Sequence, residues 1–213
     1  MRFPLLPAGV ALAALALAGC SVADDGPTTS QTRDVPAFTR IDNRDSVDVR
    51  LRVGGPQRVR VRAGDEVIDD VRTEVRDGTL AVTFDHHGLG GGNVVIDATV
   101  PRLEGLEVSG SGDVDADGIR SRAFEVRSDG SGDVELAGLA DELALDMDGS
   151  GDVESSDLAV RSAEVAVGGS GDTDVRAGER LVVAIDGSGD VSYHGSPAVS
   201  RRVDGSGDVS RAG

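Results

Sequence analysis

The tetrapeptide Gly-Ser-Gly-Asp occurs six times in the chain, starting at Gly110, Gly130, Gly149, Gly169, Gly187 and Gly205. Each copy sets a hydroxyl and a carboxylate among residues that carry no side chain. The carboxylates are Asp113, Asp133, Asp152, Asp172, Asp190 and Asp208, and Asp129, Asp148, Asp186 and Asp204 precede the same cores. Carboxylates in such number suit calcium, which takes six to eight oxygen ligands. The calcium-binding repeat G-G-x-G-x-D-x-U-x is comparable in composition, but its period and its placing of Asp differ. A serine between glycines suits nucleophilic catalysis, yet GSGD is not the G-x-S-x-G elbow. An active site is also needed once, not six times. A triad needs a histidine, and the chain has only His86, His87 and His194. His86 and His87, in "DHHGLGGGN", lack further ligands at zinc-site spacing and read as part of a hairpin loop. No catalytic residue is assigned, and the chain reads as non-enzymatic.

The spacing of the cores shows what must position them. Their intervals are 20, 19, 20, 18 and 18 residues, and a fixed period of this size marks a solenoid or array. Apolar and polar residues alternate before each core (Leu106 and Val108; Phe124 and Val126) and after it (Val114 and Ala116; Val134 and Leu136). That is the pattern of half-buried strands. Each unit is therefore strand, GSGD corner, strand and a looser corner near Gly118, Gly138, Gly178 or Gly195. The unit fits one coil of a parallel β-helix or one hairpin of an antiparallel meander, and periodicity alone does not separate the two.

Stacked corners give the glycines a structural task. Gly110, Gly112, Gly130, Gly132, Gly149, Gly151, Gly169, Gly171, Gly187, Gly189, Gly205 and Gly207 would allow positive φ and close backbone approach. Ser and Asp would bond nearby backbone N–H groups. Stacking also has a cost. Aspartates about 4.8 Å apart repel by about 0.9 kcal/mol per pair in water and about 3.5 kcal/mol at an effective dielectric of 20. The column must therefore be solvated, capped by backbone N–H groups or bound to cations.

The rest of the chain is organised around this array. Residues 1–19 read as a secretory signal, with Arg2 followed by the apolar run Val10–Ala18, too short to span a bilayer. The run ends in Leu17-Ala18-Gly19-Cys20, which resembles the bacterial lipobox and implies cleavage before Cys20 and lipidation of its sulfur. Cys20 is the only cysteine, so a lipidated chain has no thiol left for disulfides. Residues 20–37 read as the lipidated cysteine and a flexible tether, polar and interrupted by prolines. From Phe38 onward "SVDVRLRV", "RVRVR", "TLAVTF" and "NVVIDATV" alternate as strands, and Val67–Val75 fits a short helix or a strand, its β-branched residues favouring the strand. The net charge is −17, and every positive residue is an arginine. Such a surface repels nucleic-acid phosphate and anionic lipid, which leaves a protein or glycan as partner and the membrane reached only through the anchor.

Strands ending in "SGSGDV" or "DGSGDV" at this period, after "FTRIDNRDSVDVRLR" and "VPRLEGLEVSGSGDV", resemble a bacterial envelope family, the auto-transporter adhesin head GIN domain. The resemblance runs over 38–213, with the repeats at 106–213. It implies an all-β fold, a right-handed single-stranded parallel β-helix with coils of about 19 residues. It brings no catalytic residues and no cofactor. Together with the lipobox it implies a lipid-anchored envelope protein presenting an adhesin-like interaction module. A calcium-binding or calcium-stabilised solenoid is the alternative reading, with the six aspartates as its metal ligands. A carbohydrate-active enzyme is a more remote one and would need a cleft with perturbed carboxylates.

Overall fold

The computed structural model describes residues 28–85 and 93–212. The signal segment, Cys20, His86 and His87 lie outside the described residues. Successive GSGD units pair in parallel, which makes them coils of a β-solenoid and excludes the antiparallel meander. The long strands β9 (Val114–Ser128), β10 (Val134–Met147), β11 (Val153–Val167) and β12 (Thr173–Ile185) each run from one GSGD corner, through a bend, to the next. A last coil is split at Gly195 into β13 (Val191–Gly195) and β14 (Ala198–Val203), followed by β15 (Val209–Arg211). The residue after each aspartate falls in one file, Val114, Val134, Val153, Thr173, Val191 and Val209. Every member of this file is buried. Alternation of period two thus places the same face of each coil inward.

Thr173 is the exception in that file. It is 2 % exposed, and its hydroxyl reaches only the Met147 sulfur at 3.7 Å, a weak acceptor for a buried donor. Thr173→Val removes that poorly satisfied group and is expected to raise stability by up to about 1 kcal/mol in urea unfolding. A loss of stability would mean that the sulfur contact is worth more than the hydroxyl's desolvation.

The weak apolar pattern around Ser155–Asp157 coincides with an irregularity in pairing. The register of β10 with β11 shifts between Glu135 and Ala137, and that of β11 with β12 shifts after Ser155. Ser155 is fully buried there and donates to the Asp174 carbonyl at 2.7 Å.

The N-terminal block supplies an additional coil and closes that end of the core. β2 (Arg40–Asn43) and β3 (Asp48–Val53) pair in parallel with β8 (Gly105–Val108) and with β9. On their other side they pair with β6 (Thr79–Phe84) and β7 (Val95–Val100). Antiparallel strands extend this arrangement, β4 (Arg58–Gly64) on β7 and β5 (Val71–Arg76) on β6. The expected strand over Val67–Val75 is thus a short 3-10 turn, Ile68–Asp70, running into β5.

The tether needs a correction. Thr28–Arg33 is a strand, β1, paired antiparallel with β4 over all six residues. "TTSQTR" has no apolar alternation because this strand is held by backbone pairing and polar side chains. Arg33 donates to the Ile68 and Val71 carbonyls, and Gln31 donates to Asp69.

Candidate functional site

The six aspartates stand one per coil and form a hydrogen-bonded ladder. The carboxylate of each accepts the backbone N–H of the aspartate in the following coil. The rungs measure 3.0 Å from Asp133 to Asp113, 2.9 Å from Asp152 to Asp133 and 2.7 Å from Asp172 to Asp152. They continue at 2.8 Å from Asp190 to Asp172 and 2.7 Å from Asp208 to Asp190. Each aspartate's carbonyl also accepts the N–H of the residue after the preceding aspartate, as Val114 gives to Asp133 at 2.8 Å. Backbone capping therefore offsets the repulsion of stacked carboxylates, since an ionised acceptor makes a stronger bond than a neutral one.

The aspartate bonds join one coil to the next rather than closing within each turn. The corner serines, Ser111, Ser131, Ser150, Ser170, Ser188 and Ser206, are exposed, and their hydroxyls make no hydrogen bond within the described residues. Among the described residues no group of three or more His, Cys, Asp or Glu is drawn together for a metal.

The corner glycines are required for close approach rather than for their φ. Positive φ occurs at Gly118, Gly138 and Gly195 in the looser corners and at none of the twelve GSGD glycines. A Cβ on Gly132 would lie 2.2 Å from the Gly112 carbonyl oxygen, and one on Gly151 would lie 2.2 Å from that of Gly132.

A seventh corner was not read from the sequence. Asn43 pairs with Val108 and Val49 with Val114, so Asp45-Ser46-Val47-Asp48 occupies the GSGD position one coil earlier. Asp48 begins the ladder by accepting the Asp113 N–H at 3.3 Å. The signal was present in "DSVDV", which keeps the Ser, the Asp and the following Val but replaces both glycines.

Two depressions mark the outward faces. The smaller, about 290 Å³, is lined by Asp115, Asp117, Glu135, Glu154 and Asp157. Asp115, Glu135, Glu154 and Asp174 are in register as a second acidic file beside the ladder. Arg50 flanks Asp115 at one end at 3.8 Å, and His194 meets Asp174 at the other at 3.1 Å. The charge of Asp115 raises the Glu135 pKa, with desolvation and the charges of Glu154, Asp113 and Asp133 adding to it.

The larger depression, about 1060 Å³, crosses the opposite face from β2 to β12. Its floor alternates long and short residues. Ala123 and Glu125 are followed by Glu142 and Ala144, then by Ser162 and Glu164. Arg40 reaches over Gly105 to bond Glu125 at 2.7 Å, and a Cβ on Gly105 would come within 3.0 Å of that guanidinium. This bond lowers the Glu125 pKa against the opposing effect of burial, so Glu125 is held ionised. Arg120, Arg122 and Arg180 line the same groove with no ion-pair partner among the described residues. The groove thus offers free guanidinium donors beside carboxylate acceptors.

The two shifted glutamates have opposite linkage. Glu135 binds its proton more tightly in the folded chain, so its favourable contribution exists at low pH and is lost as pH rises through the raised value. Glu125 contributes above the ordinary carboxylate range and loses its contribution as pH falls through the lowered value. Glu135→Gln is therefore expected to raise the unfolding midpoint at pH 7, and Glu125→Gln to lower it. The Glu135→Gln difference should shrink toward zero below the Glu range, about pH 4.3, and the Glu125→Gln difference only below the lowered Glu125 value. Differences from the wild type that stay constant with pH in both variants would contradict this reading.

A β-solenoid whose corners are capped by their own backbone is a repeat scaffold presenting regular outward files. The chain belongs to the family described as "Putative auto-transporter adhesin, head GIN domain", whose model matches residues 37–197. Among solved structures it is similar to a putative adhesin from Bacteroides fragilis, with 24% identity and a TM-score of 0.74 over 88% of this chain and 98% of that one. A putative adhesin from Parabacteroides distasonis matches with 22% identity and a TM-score of 0.54 over the same shares. At these identities the likeness shows the fold. No curated protein matches the sequence.

Proposed function

We propose that this chain is a cell-envelope lipoprotein, held by a lipid on Cys20, whose β-solenoid is a non-enzymatic adhesin-like module. The observation that carries the reading is the ladder. The repeated glycines and aspartates are engaged in joining coil to coil, so the repetition builds a scaffold and leaves the outward faces for contact. The groove from β2 to β12 is the contact surface that fits best, because its free arginines and glutamates can meet a polar protein or glycan ligand together. Family membership supports an envelope location. Among the described residues no helix is long and apolar enough to cross a membrane, and a lipid on Cys20 would supply the attachment.

The test has two arms. Cells making the wild-type chain or Cys20→Ala are fed labelled fatty acid and fractionated. Label and membrane association should both be lost in the variant, and a membrane-bound, unlabelled wild-type chain would contradict the anchor. Beads carrying the purified protein are then presented to bacterial and host cell surfaces. Arg120→Glu with Arg122→Glu should abolish bead attachment, and attachment equal to wild type would remove the groove from the account.

A further inference from the structure

One face of the molecule is a continuous sheet in the order β1-β4-β7-β3-β9-β10-β11-β12-β13-β15. Pairing places residues from distant parts of the chain in one outward row across it. Arg60 lies beside Asp97, then Arg50, Asp115, Glu135, Glu154 and Asp174. In the neighbouring row Arg58 lies beside Thr99, then Arg52 and Asp117.

The face is therefore divided. Over β4, β7 and β3 it carries Arg50, Arg52, Arg58, Arg60 and Arg62 with two acids among them, Asp97, bonded to Arg62 at 2.6 Å, and Asp48, which accepts the Asp113 N–H. Over β9 to β12 it carries the second acidic file with the aspartate ladder beside it. The base on that half, Arg176, donates to the Ser156 carbonyl. Arg52, Arg58 and Arg60 are exposed and have no ion-pair partner among the described residues. The division has a counterpart along the chain, since ten arginines face 24 acidic residues after residue 100.

We propose that this face pairs with the same face of a second copy of the chain. A two-fold axis parallel to the strands, between β3 and β9, brings the basic half of each copy over the acidic half of the other. Strand order then sets β4 against β11 of the partner subunit and β3 against β9 of the partner subunit. Position along the strands is kept, so Arg60 faces Glu154 of the partner subunit and Arg58 faces Asp157 of the partner subunit. Such an isologous contact uses one patch twice and closes on itself. Each copy carries −17 overall, but at about 0.15 M salt the Debye length is about 8 Å. Repulsion between whole molecules is then largely screened, while charges in contact keep their attraction.

The test uses the full chain with Cys20→Ser, two charge-reversed variants, and sedimentation velocity at 0.15 M salt. Arg58→Glu with Arg60→Glu sets acid opposite Glu154 of the partner subunit and Asp157 of the partner subunit. Glu154→Arg with Asp157→Arg sets arginine opposite Arg58 of the partner subunit and Arg60 of the partner subunit. All four side chains are exposed, and unchanged thermal midpoints verify folding. The wild type is expected to dimerise with concentration, and each variant alone to self-associate at least tenfold more weakly, since like charges in contact oppose binding. An equimolar mixture of the two variants should dimerise again, because positions 58 and 60 of each copy then meet the opposite charge at 154 and 157 of the other. A wild type that stays monomeric, variants that dimerise as the wild type does, or a mixture no more associated than its components would overturn the proposal.

Discussion

Gly151→Ala is expected to destabilise the chain by about 3 kcal/mol or more, whereas Gly178→Ala in a nearby coil is neutral or stabilising by about 0.4–1 kcal/mol. At Gly151 the new Cβ would lie 2.2 Å from the Gly132 carbonyl oxygen, 2.7 Å from its carbon and 2.9 Å from the Ser131 carbon. All three are backbone atoms, so no side chain can swing aside and the two coils must separate at the corner. Separation would also weaken the rung from Asp152 to Asp133. In a solenoid each coil depends on its neighbours, so the damage acts on an interface that both sides need. At Gly178 the nearest neighbour of a Cβ is the Val160 carbonyl oxygen at 3.7 Å, an ordinary contact, and its φ is not positive. There alanine chiefly reduces the freedom of the unfolded chain. Urea unfolding of both variants decides the matter, and equal effects would mean that the GSGD glycines are not set by backbone contact.

Phe124→Ala is expected to cost about 3–5 kcal/mol. Phe124 heads the fully buried side chains by size and is 1 % exposed. The chain has few aromatics, and in the repeats Phe124 is joined only by Tyr193. Its file continues through Leu143, Ala163 and Leu181. Leu143, its neighbour in the file, is held by strand pairing on both sides and cannot collapse far into the space vacated by a ring. The residue also underlies the groove, so the loss is expected to be accompanied by weaker bead attachment if the groove is the contact surface. A cost near 1 kcal/mol would show that the coils relax around the cavity.

The parts of this fold visible in the sequence are those that repeat. Six GSGD copies at a nearly constant interval located every later corner, and alternation around Val114 or Val183 gave the inward face correctly. What escaped was set by pairing between distant segments. β1 has no apolar pattern because β4 recruits it through backbone hydrogen bonds. The corner at Asp45–Asp48 lacks both glycines, and a buried Val47 stands where the later corners have the second of them. The sequence marked the ladder aspartates as a charge problem, but only the stacking shows an N–H of the following coil at each carboxylate. The groove and the divided face could not be read at all. They arise when Arg40 comes to lie beside Gly105 and Glu125, or Arg60 beside Asp97 and Asp97 beside Arg50, and those partners are tens of residues apart.

The central claim is that the six corner aspartates are rungs of a backbone ladder and complete in themselves. The direct measurement is thermal unfolding of the chain with Cys20→Ser in calcium, in an equal concentration of magnesium, and in excess chelator. The account predicts one midpoint in all three, lowered in each by Asp152→Ala, which removes the acceptor of the Asp172 N–H. A midpoint raised by calcium beyond the effect of magnesium, and lost with Asp152→Ala, would contradict it and make the column a metal site.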